Sequence, residues 1–279
     1  MAYMISGVLL ILIVMSDIVR TTLTTQGEGL ISSVVSGLYR RIASLFIRAG
    51  HRPFEVIGAM SISTLALVWL AGLWIGWVLV FLGIPNAIAH SGEASGVGIY
   101  DVIYFVGFTL STLGVGDLAP ATPAAQMATV LASITGLLIV TLVVTYAISV
   151  VSAAVARRVL AYKIHLNGGE ESEFLTEFHD LEGFALWTGG IRSDLIACTE
   201  QRLAFPILDN FVSKDERFSL PVQLARLGLI TYRASRNEDA TQQTKKELNQ
   251  LLSVLDRFTL LSGITDRDMS DRLAKLRQR

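Results

Sequence analysis

The chain has 279 residues, 52% hydrophobic and 17% charged, with 23 basic and 24 acidic side chains. That length admits one membrane unit and a modest further domain, and the charged share lies well below the roughly one quarter usual in soluble proteins. No basic stripe interleaved with aromatics supports nucleic-acid binding, and the single cysteine, Cys198, excludes an intramolecular disulfide and cysteine-rich metal sites.

Charge is unevenly placed. From Pro53 to Ala156 there is no Lys or Arg, and the acids are Glu55, Glu93, Asp101 and Asp117. Eighteen of the 23 basic and eighteen of the 24 acidic residues lie at or after Arg157. An apolar membrane half followed by a well-charged domain is the direct reading. Cys198 reads as a small core residue of a reducing compartment, and the four scattered histidines show no metal-ligand spacing.

In chain order, residues 3–24 are apolar enough to span a bilayer, and their start lacks the basic segment of a signal peptide, so a retained anchor is expected. Asp17 and Arg20 stand three apart and are expected to pair on one helix face; an intramembrane functional acid at Asp17 is the alternative. Residues 30–49 combine apolar positions with Arg40, Arg41 and Arg48, suiting a helix in the membrane interface, its arginines on anionic lipid headgroups. Their arginines do not recur at every third position of a spanning helix, so no voltage sensor is expected. Residues 54–83 and 124–156 form the second and third spans. Arg40, Arg41, Arg48 and Arg52 precede the second, and Arg157, Arg158 and Lys163 follow the third. By the positive-inside rule both flanks are cytoplasmic and residues 83–123 lie at the outer face of the cell membrane.

Between those spans, residues 100–110 are long enough for three helical turns but not for a crossing. The run Thr109-Leu110-Ser111-Thr112-Leu113-Gly114-Val115-Gly116-Asp117 follows. Irregular backbone at membrane depth is tolerated only where it is buried in protein or lines a water-filled path. A row of backbone carbonyls there can replace the water shell of a cation, and Gly114 and Gly116 allow the backbone conformations this needs.

This run resembles the selectivity-filter signature of potassium channels, Thr-x-x-Thr-x-Gly-Tyr-Gly-Asp, with Val115 in the usual tyrosine position. The resemblance covers about residues 54–160. It implies an all-α membrane protein: a two-helix pore with a re-entrant pore helix and filter, an added N-terminal transmembrane helix and a helical cytoplasmic domain. By position it assigns potassium ions to the carbonyls of Thr112, Leu113, Gly114 and Val115, with the Thr112 hydroxyl, and to Gly116 at the outer mouth. Asp117 takes the acidic place that anchors the filter to the pore helix, and Tyr104 and Phe105 the paired aromatics that brace it. Gly136, 22 residues after Gly114, takes the place of the inner-helix hinge; close helix packing is its other reading. Thr135, Thr141 and Thr145 are open between cavity and neighbouring helix, and Ile148 and Ser152 fall where an inner constriction would lie. Val115 lacks the phenol that would bond to the aromatic cuff.

Residues 157–166 are expected to continue the inner helix until Asn167-Gly168-Gly169. Helices are expected near 171–187, 192–212, 220–234, 240–262 and 266–277, with a kink at Pro206 and a polar turn at Lys214-Asp215-Glu216-Arg217. Leu248, Leu251, Leu255 and Phe258 have heptad spacing over less than two heptads, which favours core packing over a coiled coil. Neither a nucleotide-binding glycine turn nor strand alternation is visible here.

Three regions follow: an N-terminal helix with its interfacial helix (1–52), a pore domain (53–160) and a helical cytoplasmic domain (161–279). One filter loop per chain implies a homotetramer, since four must encircle an ion. The expected function is a passive, potassium-selective channel without cofactor or catalytic constellation, gated or assembled through its C-terminal domain. The alternatives are a weakly selective monovalent cation channel on the same scaffold and a membrane-anchored signalling or scaffold protein with a vestigial pore. A transporter would require an internal repeat of the spanning helices, which is absent.

Overall fold

The computed structural model describes residues 1–25, 27–48, 56–91, 97–167, 181–213, 215–264, 266 and 269–277. Arg52, Glu55, Glu93, Gly168, Gly169, Lys214 and the expected helix start at 171–180 lie outside the described residues. The helices are α1 (Ala2–Leu23), α2 (Leu30–Arg48), α3 (Val56–Gly83), α4 (Ile99–Leu110), α5 (Pro123–Leu166), α6 (Leu181–Ala204), α7 (Leu220–Ser235), α8 (Gln242–Leu261) and α9 (Met269–Arg277). Two three-residue strands, β1 (Ile88–His90) and β2 (Leu118–Pro120), flank α4. The fold is all-α, with α1, α3 and α5 long and apolar enough to cross a membrane. At about 1.5 Å per residue the 44 residues of α5 extend roughly 66 Å, twice the ~30 Å of hydrocarbon. The 12 residues of α4 extend only about 18 Å. The chain divides into two compact units, residues 1–39 with 60–149 and residues 40–59 with 150–279.

In the first unit α3 is the mast. Gly72 and Gly76 stand four apart on the face toward α1, where a Cβ on Gly72 would meet Val14 and one on Gly76 would meet Ile11. On the facing helix a Cβ on Gly7 would stand 2.5 Å from the Gly76 carbonyl oxygen. Two helices approach this closely only through such small residues, so α1 packs on its own chain. Three tryptophans of α3 each give their indole N–H to a different helix: Trp69 to Asp17 on α1 (2.8 Å), Trp74 to the Ile103 carbonyl on α4 (3.0 Å), and Trp77 to the Thr135 hydroxyl on α5 (2.9 Å). Trp69 also meets Tyr146 of α5 edge-on, with ring centroids 6.4 Å apart.

Asp17 differs from the expected pairing with Arg20. Its carboxylate is buried and accepts from the Ile31 and Ser32 backbone N–H groups (2.7 and 3.2 Å), the Ser32 hydroxyl (2.6 Å) and Trp69. The cause is the start of α2: the first N–H groups of a helix lack intrahelical partners and carry partial positive charge. Four donors inside the protein outcompete a surface arginine. A Cβ at Gly29 would fall on Asp17 itself, so the turn into α2 requires glycine. Along α2, Ser32, Val35, Ser36 and Ala43 are buried while Leu30, Val34, Leu38 and Leu45 form an exposed apolar row.

The second unit is a helical bundle whose core draws Leu160 and Ile164 from the end of α5, Ile191 and Leu195 from α6, Leu224 and Leu227 from α7, and Leu251 and Leu255 from α8. Leu248, Leu251, Leu255 and Phe258 are all buried there, as core packing requires. Gly189 and Gly190 do not interrupt α6, although each costs a helix about 1 kcal/mol, because buried Thr188, Ile191 and Leu195 span the same turns. Nor does Pro206 kink a longer helix. The helix stops at Ala204, and Pro206 opens a 3-10 turn (Pro206–Asn210), since the residue before proline is driven from helical dihedrals. That turn presents Asp209 to Arg202, which binds it in a fork at 2.9 and 2.7 Å, and to Arg157 of α5 at 3.7 Å. Arg157 also donates to the Leu208 carbonyl at 2.9 Å. Burial alone would raise the Asp209 pKa, but the charge and hydrogen bonds of Arg202, with Arg157 and Arg40, hold it below the ordinary carboxylate range. Burial pushes the Cys198 thiol up to about 11, leaving it a poor nucleophile.

Candidate ion-conducting site

The loop after α4 is built by the way that helix ends. Thr112 N–H donates to the Thr109 carbonyl (3.1 Å) and Leu113 N–H to the Phe108 carbonyl (2.9 Å), the paired bonds of a Schellman ending. Such an ending needs one residue in the left-handed region, usually glycine. Here it is Thr112, with φ of 57°. A β-branched residue there is an outlier that costs roughly 1–2 kcal/mol.

Positive φ then recurs at every second residue: Gly114 at 58° and Gly116 at 86°, while Leu113 and Val115 keep negative φ. In a strand of uniform handedness successive carbonyls point to opposite sides; alternating the handedness turns them toward the same side. No neighbour lies within 4 Å of a Cβ built on Gly114 or Gly116. Residues 111–117 are all exposed on the single chain, with Leu113 at 69% and Val115 at 50%. The run thus presents two uncovered apolar side chains beside its ordered carbonyls.

Both flanks secure this run. On the α4 side Tyr104 stands beside the Asp117 carboxylate, whose Oδ1 accepts the Leu118 N–H at 3.0 Å. Phe105 is buried against Phe81 of α3 and Phe108, with centroids 5.2 and 5.1 Å away. Of the two aromatics, Tyr104 is the one beside the loop, whereas Phe105 seats α4 on α3. Asp101 caps the other end of α4 by accepting the Gly98 N–H at 2.7 Å.

On the far side lies a ribbon that the sequence reading missed. The strands β1 and β2 pair antiparallel, Ile88 with Pro120, Ala89 with Ala119 and His90 with Leu118. Beyond β1, Ser91 N–H donates to the Asp117 carbonyl and Ser91 Oγ to the Gly116 carbonyl, both at 2.9 Å. Three-residue strands carry too little alternation to be read from sequence.

Gly136 packs where α5 crosses the end of α4. A Cβ there would stand 2.0 Å from the Leu110 carbonyl oxygen, two residues before Thr112. Helix α5 runs unbroken through this point, and the small size of Gly136 permits this close approach. Immediately before Gly136, Thr135 faces a neighbouring helix through Trp77. Thr141 and Thr145 are exposed and return their hydroxyls to the Leu137 and Thr141 carbonyls (3.0 and 2.9 Å). With exposed Ile148 and Ser152 they recur at helical spacing along one face.

An apolar helix too short to cross a membrane, a loop of ordered carbonyls and a second spanning helix define an ion-channel architecture. Residues 64–153 match a protein family described as "Ion channel", and the chain belongs to that family. It is similar to the "Uncharacterized membrane protein YdjJ" of Bacillus subtilis (strain 168), 30% identical over 232 residues, which cover 81% of this chain and 67% of that protein. No solved structure matches.

Proposed function

We propose that the protein is a passive potassium-selective channel of the cell membrane, working as a homotetramer with its C-terminal unit in the cytoplasm. The alternation of φ at Thr112, Gly114 and Gly116 carries this reading. Four such loops around one axis offer rings of carbonyls from Thr112, Leu113, Gly114 and Val115, with Gly116 at the mouth, that replace the hydration shell of potassium. Thr112 adds its hydroxyl at the inner end, where glycine would fit the backbone better; the ligand offsets the strain. The carboxyl end of α4 adds partial negative charge behind the innermost ring. Potassium is the cargo, and conduction requires no cofactor or bond-making step. The exposed Thr141, Thr145, Ile148 and Ser152 face lines the water-filled approach below. Exposed Leu113 and Val115 support the multimer, since a second copy would cover them.

Val115 favours one second reading, a weakly selective cation channel, because valine has no phenol with which to bond the surrounding cuff. Flux into proteoliposomes tests the proposal. Potassium uptake should exceed sodium uptake, and Gly114→Ala should abolish it, since alanine at a φ of 58° is strained. Equal uptake of both ions would select the weakly selective reading, and no uptake with an unchanged Gly114→Ala would favour the vestigial pore.

A further inference from the structure

Gly114 and Gly116 have no side chains to pack, and Val115 has no hydroxyl, so the conducting run is held at its ends. The inner end closes on α4 through the Schellman bonds at Thr112 and Leu113. At the outer end one residue grips two consecutive carbonyls: Ser91 Oγ reaches Gly116 and Ser91 N–H reaches Asp117, each at 2.9 Å. Ser91 is placed by the register of β1 on β2, and by the bond from Ala121 N–H to the Ala87 carbonyl at 2.9 Å. The ribbon therefore transmits a fixed position to the last filter carbonyl.

We infer that Ser91 is a positioning residue for conduction: its hydroxyl fixes the direction of the Gly116 carbonyl and keeps the outer half of the filter in its conducting shape. The inference rests on the channel reading above. The serine does from the ribbon what a hydroxyl at position 115 would do from within the filter. Its backbone bond to Asp117 survives substitution, so the hydroxyl can be tested separately from the fold of the ribbon.

The experiment compares the full-length wild type with Ser91→Ala and Ser91→Thr in planar bilayers containing potassium. Removing one hydrogen bond should lower the ratio of conducting to non-conducting dwell time by about fivefold. Sodium permeability relative to potassium should rise, while assembly size and thermal midpoint stay at the wild-type values. Ser91→Thr retains the hydroxyl and should restore the wild-type dwell times. Wild-type dwell times and selectivity in Ser91→Ala would overturn the inference and leave the channel standing. Failure of Ser91→Ala to assemble would also overturn it, because the hydroxyl would then be structural. A wild type that passes no current would overturn both this inference and the channel reading.

Discussion

Substituting Gly136 by alanine separates contact from hinge, because the two roles predict effects of opposite sign. In an open helix interior, Gly→Ala stabilises by about 1 kcal/mol. Here the new Cβ would lie 2.0 Å from the Leu110 carbonyl oxygen, with the Leu110 carbonyl carbon at 2.8 Å. Ordinary contact requires about 3.4 Å, so α5 and the end of α4 must separate by about 1.4 Å. The atom in the way is backbone, with no rotamer to relieve it. Overpacking of this kind costs about 1–3 kcal/mol per subunit, reversing the helix-propensity gain. Since Leu110 precedes Thr112 by two residues, the displacement enters the filter. Gly136→Ala should thus lower the thermal midpoint of the purified protein and degrade ion selectivity in the fraction that assembles. A variant as stable as the wild type or more so, with selectivity intact and only open probability reduced, would refute the contact argument and favour the hinge.

Three other substitutions test other parts of the structure. Asp17→Ala leaves the Trp69 indole and the first N–H groups of α2 without their acceptor, each buried orphan costing about 1–3 kcal/mol; denaturant unfolding in detergent should show the loss, while Arg20→Ala should be nearly neutral. Thr112→Gly should raise the thermal midpoint by relieving roughly 1–2 kcal/mol of left-handed strain, yet weaken potassium binding measured by calorimetry, because the hydroxyl is gone. Asp209 is held below its unfolded pKa, so its stabilising contribution is complete above the ordinary carboxylate range and lost as pH falls through the lowered value. Asp209→Asn should lower the thermal midpoint at neutral pH and reduce its dependence on acid pH in a titration of the full chain.

The spanning helices were legible because an apolar run without Lys or Arg has few alternatives in water, and the irregular loop at 111–117 because two glycines and an acid follow a helix too short to cross. The Schellman ending was not legible, since nothing in Thr112 announces positive φ; the proposed ion-ligand role of its hydroxyl gives a reason for a residue the backbone disfavours. The Asp17 cluster was misread because local spacing paired it with Arg20, whereas its donors come from Ile31, Ser32 and Trp69 on other helices. Gly72 and Gly76 lay in plain view at small-residue spacing, but their partner face on α1 is fixed only by tertiary packing. The ribbon with Ser91 was missed because three-residue strands are selected by their pairing and not by their own alternation. In the C-terminal unit the burial of Leu248, Leu251, Leu255 and Phe258 followed from spacing, but the uninterrupted course of α6 through Gly189 and Gly190 depended on a core the sequence does not display.

The central claim is a potassium-selective path through residues 112–116, and the bi-ionic reversal potential of the purified protein in planar bilayers tests it most directly. With potassium on one side and sodium on the other, the potential should lie near the potassium equilibrium value, and Gly114→Ala should remove the current. Robust current reversing near zero would contradict potassium selectivity, and an undiminished current in Gly114→Ala would contradict a path through this filter.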